Sequence, residues 1–331
     1  MSWQSVAIRW SLRTTFRPAT AKTLDVARIR ARASRRLWTP GVPAGWRLSE
    51  QYDSGAAPLR GEWLRRVRGP AAHDALSART ILYLHGGGYY FCSPRTHRAI
   101  SFGLASRAEA DVFSLDYRLA PEHPFPAAVD DALAAWRALL ASGMHADRAV
   151  IAGDSAGGGL ALATLIALRD AGEPLPAGAL LFSPWTDLAS TGASMRDNDG
   201  RDPMFRGEVF ARVAPMYLGD TPATHPLASP LYAELHRLPP LFMRAGSTEV
   251  LLDDTRRVAT RAREAGVDVD CAIWPDMPHI WPIYAPFMPE ARRVLDEAAR
   301  FVRRVTARGD GGGDKRAGAP DAGQSSETSI A

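Results

Sequence analysis

Two stretches of this 331-residue chain set reactive side chains beside glycines at spacings that chemistry can use. Residues 150–160 read Val-Ile-Ala-Gly-Asp-Ser-Ala-Gly-Gly-Gly-Leu, so Ser155 lies two positions from both Gly153 and Gly157. A serine presented as a nucleophile on a tight strand-to-helix turn needs tiny neighbours at those two positions. The helix that follows aims backbone N–H groups and a partial positive charge at the same place. Upstream, Ile81–Leu84 runs into His85-Gly86-Gly87-Gly88-Tyr89-Tyr90. Acyl transfer creates a negative oxygen that needs rigid N–H donors, and consecutive glycines let bare backbone approach it. Gly87, Gly88 and Ala156 are the expected donors. A phosphate-binding loop would instead need a GK[ST] or GxGxxG pattern, and neither occurs.

A serine hydroxyl becomes an effective nucleophile when an imidazole takes its proton and a carboxylate orients that imidazole. The chain has eight histidines. His279, in Trp274-Pro275-Asp276-Met277-Pro278-His279-Ile280-Trp281, falls in a loop after a strand and before the last helix, above the sheet edge where Ser155 emerges. His85 reads as a brace for the glycine loop. His123, His145, His225 and His236 fit surface turns or helix ends, and His73 and His97 have no supporting context. The acid should follow the strand Leu241–Arg244. Glu249, just past the strand end, is the preferred candidate; Asp253, which opens the next helix, and Asp276 are the alternatives. The order Ser155, Glu249, His279 suits serine hydrolysis on an α/β sheet.

These residues need a scaffold, and the rest of the chain supplies its pattern. Short apolar runs at Ile81–Leu84, Val112–Leu115, Ala149–Ala152, Ala179–Phe182, Leu241–Arg244 and Val267–Ile273 read as buried strands. Helical patterns lie near 95–108, 126–141, 156–171, 252–265 and 289–306. This alternation predicts an α/β fold with a mostly parallel central sheet flanked by helices. Trp46–Tyr52 and Arg60–Arg68 read as an antiparallel pair at one edge. Two regions break the rhythm: the basic N-terminus, and Pro184 to about Pro240 with a helix near 207–217. The expected division is N-terminal cap helices over 1–40, a catalytic domain over 41–308 with a cap insertion at 184–238, and a disordered tail over 309–331. In the first segment Val6, Trp10, Leu12 and Phe16 are expected on one inward face, and Leu24, Val26 and Ile29 on another.

Composition narrows the partners. The formal charge is +4, carried almost entirely by arginines. Dispersed among acids, they make solvated faces and not a phosphate-tracking groove, so no nucleic-acid partner is expected. Residues 1–36 hold nine basic residues against Asp25 alone, a balance that a targeting or membrane-surface segment also shows. The helical-flap reading is preferred, and membrane association is not expected. Cys92 and Cys271 make neither a zinc-ligand pattern nor a disulfide framework, which favours a reduced, cytoplasmic setting. No metal or cofactor is expected. Tyr89, Trp185, Met204 and Trp281 are candidate walls of the substrate pocket, with core packing as the plainer alternative for each.

Taken together, HGGG at 85–88, DYRLAPEHPFPAA at 116–128, GDSAGG at 153–158 and SPWTDL at 183–188 resemble the hormone-sensitive-lipase-like esterases, also called bacterial family IV. The resemblance covers roughly residues 75–305. It implies an α/β-hydrolase core with a helical cap, acting on short- to medium-chain carboxylic esters of small molecules through a Ser-His-Glu triad. Lactonase, amidase and membrane-associated lipase activities are the alternatives on the same site. Related esterases are monomers or dimers, so a homodimer is allowed. The family often has Asp-Pro-Leu where this chain has Glu249-Val250-Leu251, and His-Gly-Phe where it has His279-Ile280-Trp281. Arg118 and Glu122 match a segment read as bracing the loop beneath the site.

Overall fold

The computed structural model describes residues 1–20, 25–35, 39–67 and 79–307. Its strands are β1 (Trp46–Gln51), β2 (Gly61–Arg66), β3 (Thr80–Leu84), β4 (Asp111–Leu115), β5 (Ala149–Asp154), β6 (Gly178–Phe182), β7 (Leu241–Gly246) and β8 (Val269–Trp274). They form one sheet in the order β1-β2-β4-β3-β5-β6-β7-β8. β2 is antiparallel to both β1 and β4, and from β4 through β8 every pairing is parallel. The apolar runs are continuous because both faces are covered. Successive side chains of β3 split accordingly: Leu82 and Leu84 join one apolar cluster, Ile81 and Tyr83 the other.

One face carries α5 (Ala127–Ala141), α6 (Ala156–Asp170) and α9 (Leu252–Glu264); the other carries α4 (Arg98–Ala108) and α10 (Pro289–Thr306). α10 shows why the sequence folds this way. Val294, Ala298, Phe301 and Val305 recur at helical spacing and are buried, and full burial of such an aliphatic or aromatic side chain is worth about 1.5–3 kcal/mol. The register aligns Asp154 with Phe182, Phe182 with Arg244, and Arg244 with Ala272. The loops after β5, β6, β7 and β8 therefore leave the same edge of the sheet, with the loop after β3 beside them. That edge is where a parallel sheet gathers its chemistry.

Two regions lie outside the alternation. The N-terminal one comprises α1 (Trp3–Ser11), a π turn at Leu12–Phe16, α2 (Arg17–Thr20) and α3 (Val26–Arg35). The other, after β6, contains α7 (Ser194–Asp197) and α8 (Gly207–Leu218). They meet: Phe16 packs edge-on against Phe205 at 5.6 Å, and the Arg212 guanidinium donates to the Thr20 carbonyl at 2.9 Å. The expected inward face of α1 is corrected here. Leu12 is buried and Phe16 half-buried, but Val6 and Trp10 are exposed. At about 100° per residue Trp10 and Leu12 already point apart, and the wider π turn shifts the phase again. Leu24, His73 and the 309–331 tail lie outside the described residues. No helix among the described residues is long and apolar enough to cross a membrane.

Candidate active site

β5 delivers Ser155 into a sharp turn at φ 53°, ψ −123°, and α6 begins at the next residue. The turn closes only because of what it lacks. A Cβ on Gly157 would lie 2.1 Å from the Leu84 carbonyl oxygen, and one on Gly86 would lie 2.3 Å from an Asp154 carboxylate oxygen. The glycine loop and the serine turn are thus pressed against each other, which sets Gly86 directly against Asp154 and Ser155. Gly87 and Gly88 have φ of 116° and 58°. Among the described residues, no acceptor meets the backbone N–H groups of Gly87, Gly88 or Ala156. Three donors left unmatched beside a serine are suited to a developing oxyanion.

Beneath this loop lies a buried polar network. Asp154 accepts hydrogen bonds from the Tyr83 hydroxyl at 2.5 Å and the Gly86 N–H at 3.1 Å, and His97 Nε2 lies 3.2 Å from its other oxygen. Burial pushes the Asp154 carboxyl up, but His97 and these hydrogen bonds outweigh it and hold it below the ordinary aspartate range. His85 stacks on Tyr117 at 4.3 Å, with Nδ1 2.7 Å from the Gly86 carbonyl. Burial, then the neighbouring His97, lowers the pKa of His85 to about 3. It is a neutral brace, in line with the sequence reading.

His279 Nε2 lies 2.9 Å from Ser155 Oγ, and its Nδ1 lies 2.7 Å from Glu249 Oε2. All three residues are buried, Ser155 at 7% exposure. Glu249 Oε1 is held separately by the Ser183 hydroxyl at 2.8 Å and by the Gly246 N–H. Of the acids weighed from sequence, Glu249 is the one that meets the imidazole. Asp253 accepts instead from the Ser194 N–H at 2.9 Å, and Asp276 faces Arg9 at 3.7 Å. Burial lowers the His279 pKa, but the hydrogen bond and charge of Glu249 prevail and raise it above the usual 6.5.

The candidate pocket residues separate. Tyr89 stacks on Tyr217 at 3.7 Å and lies 6.0 Å from Trp185, whose ring meets Phe210 at 5.2 Å. Phe210 contacts Phe205 at 5.4 Å, and Phe205 meets the His279 ring edge-on at 5.4 Å. Tyr89 and Trp185 therefore belong to an aromatic chain that ends on the imidazole. Met204 is buried and donates its N–H to Asp202; its neighbour Phe205 makes the contact with His279. Trp281 is a correction: it is fully buried beside Trp274, in the cluster with Met277 and Met288, and serves as core.

Sequence reasoning missed Phe205, Phe210, Ser183, His97 and Asp202. Asp202 accepts from the N–H groups of Met204, Phe205 and Val250 at 2.7–3.0 Å, tying the segment that carries Phe205 to the loop that carries Glu249. Burial raises its pKa to about 6. The one available signal was Ser183, inside a quoted motif and two residues before Trp185.

Sheet order and the clustering of loops at the carboxyl edge define the class: this is an α/β hydrolase. The family description "alpha/beta hydrolase fold" matches residues 81–283, and the chain belongs to that family, among its hormone-sensitive-lipase-like esterases. An acetyl-hydrolase of Streptomyces hygroscopicus is 48% identical over 248 residues, covering 75% of this chain and 81% of the relative. A structure of the esterase EstE5 soaked with p-nitrophenyl butyrate matches with TM-score 0.84 at 37% identity, over 93% of this chain and all of that one. An esterase of the bacterial hormone-sensitive lipase family matches with TM-score 0.82 at 39% identity, over 92% and 99% of the two chains. The protein is a carboxylic ester hydrolase.

Proposed function

We propose that the enzyme cleaves short- to medium-chain carboxylic esters by two-step acyl transfer on Ser155. The observation that carries this reading is the unbroken hydrogen-bonded chain from the buried Glu249 carboxylate through His279 to the Ser155 hydroxyl. Neutral His279 takes the Ser155 proton as Oγ attacks the ester carbonyl. The N–H groups of Gly87, Gly88 and Ala156 bind the oxyanion. The imidazolium, held by Glu249, protonates the departing alcohol, and water then repeats the sequence on the acyl-enzyme.

Two features support limited chain length. The aromatic chain from Tyr217 to Phe205 closes in on the imidazole, and the 48%-identical relative is named an acetyl-hydrolase. The described part of residues 1–40 and the 184–238 segment act as one cap in this reading, since Phe16 and Phe205 join them beside His279. The test is turnover of p-nitrophenyl esters from acetate to palmitate by wild type and Ser155→Ala. Activity that is greatest up to octanoate and absent in the variant is expected. A folded wild type that is inert on every ester, or most active on palmitate, would reject the proposal.

A further inference from the structure

The outward side of α1 plays no part in the fold. Trp3, Val6 and Trp10 are 75%, 53% and 69% exposed, and their spacing of three and four residues puts them on a single stripe. The helix is nevertheless well anchored along its inner side. Ser2 binds Glu290 through its N–H and its hydroxyl, Ser5 and Leu12 are buried, and Arg9 faces Asp276. The Arg13 guanidinium donates to the carbonyls of Gly200 and Arg201, and Phe16 packs on Phe205. Two tryptophans are therefore held in water by a helix that the fold fixes in place. Large, contiguous apolar exposure on a fixed element marks a binding surface.

Charge identifies the occupant. Residues 1–36 carry nine basic side chains and one acid, while the whole chain nets only +4, so the remainder is net negative. Arg13, Arg28 and Arg32 are exposed in this region. Exposed indoles on a short helix, within a segment that also exposes guanidinium groups, match a membrane–water interface, where the ring sits among headgroups and the cation meets anionic lipid. With nine residues, α1 is too short to span a bilayer and could only lie along its surface. A second copy docked on the same segment by twofold symmetry would bring two stretches of like net charge together.

We propose that the outer face of α1 docks the enzyme on anionic lipid surfaces. Because α1 is fastened to Asp276 in the His279 loop and the π turn that follows it packs on Phe205 through Phe16, docking would hold the rim of the site about one helix diameter from the headgroups. Val6 and Trp10, two of the residues expected to face inward, thus form the contact together with Trp3.

The test is co-sedimentation of the full chain with vesicles of phosphatidylcholine alone and with about one-third phosphatidylglycerol. Running it on Ser155→Ala as well keeps the result independent of the catalytic reading. Binding to anionic vesicles, a blue shift of tryptophan emission, and weakening at on the order of 0.5 M salt are expected. The double variant Trp3→Ser/Trp10→Ser should lose at least about tenfold in vesicle affinity. Its circular dichroism should be unchanged and its turnover of a soluble acetyl ester should stay within about twofold of wild type. Arg28→Glu/Arg32→Glu should abolish the preference for anionic lipid. No sedimentation of wild type, or equal sedimentation of the serine variant, would overturn the proposal. So would a concentration-dependent dimer that the serine variant alone loses, because the occupant would then be a second copy.

Discussion

The molecule buries two acid–histidine pairs against the same serine turn, and only one of them is connected to the hydroxyl. Glu249 meets His279 at 2.7 Å, and the other nitrogen of His279 reaches Ser155 Oγ at 2.9 Å. Asp154 meets His97 at 3.2 Å, yet the other nitrogen of His97 lies 2.6 Å from its own neighbour, Thr96 Oγ1. The carboxylates differ in the same sense. Glu249 uses its spare oxygen on Ser183 and Gly246, which fixes the acid itself. Asp154 uses its oxygen on Tyr83 and Gly86, which fixes the glycine loop. Burial and pairing thus do not make a base. What distinguishes a base is where its second nitrogen points.

The largest effects should fall on the connected pair. Ser155→Ala and His279→Ala should each lower kcat by about five orders of magnitude, while His97→Ala should cost less than about tenfold in kcat and lower Tm. If His97→Ala were folded yet as inactive as His279→Ala, the comparison would be wrong. Glu249→Gln keeps the shape of the acid but removes its charge, and should cost about 10³–10⁴ in kcat. Asp253→Asn, by contrast, should leave kcat within about threefold of wild type, since its carboxylate serves Ser194.

Asp154→Asn should act mainly on stability, costing about 3 kcal/mol at neutral pH by breaking a buried pair. The folded state holds the Asp154 carboxyl low, so its contribution is full above the ordinary aspartate range and fades as pH falls through the folded value. Denaturant melts of wild type and variant should therefore converge in acid. His279 has the opposite sign. Its pKa is raised, so its contribution to stability is complete below 6.5 and disappears as pH rises through the folded value. The reaction needs the neutral ring, so the acid limb of kcat/KM should lie above 6.5 and shift downward in Glu249→Gln. An acid limb unmoved by that change would detach Glu249 from the base. A change in selectivity and not in chemistry is expected at Phe205→Ala, which opens the wall beside His279. Octanoate turnover relative to acetate should rise by about three- to tenfold, read from kcat/KM across the ester series.

What could be read in the sequence was whatever backbone geometry imposes on residue type. Gly157 and Gly86 cannot carry a Cβ where they stand, so the serine turn and the glycine loop are written into composition. The strands could be read because burial on both faces forces apolar runs, and the structure begins β5 at Ala149 and β7 at Leu241 as the runs do. Phe205, Phe210 and Ser183 could not be read this way. Their roles depend on how a segment without regular alternation folds back over the sheet edge, and an aromatic side chain there has the same local signature whether it packs in the core or against an imidazole. Trp281 shows the converse: two residues from His279, it nevertheless turns to the opposite face of the sheet. The face of α1 was misjudged because Trp10 and Leu12 already point apart in a regular helix, and the π turn at Leu12–Phe16 shifts the phase again.

The central claim, that Ser155 is the nucleophile activated through His279, is most directly tested by covalent labelling with a fluorophosphonate followed by peptide mass mapping. The account predicts one equivalent of label on the peptide containing Ser155, loss of activity in proportion, and no labelling in Ser155→Ala or His279→Ala. Labelling on another residue that accounts for the lost activity, or ester turnover surviving in Ser155→Ala, would contradict it.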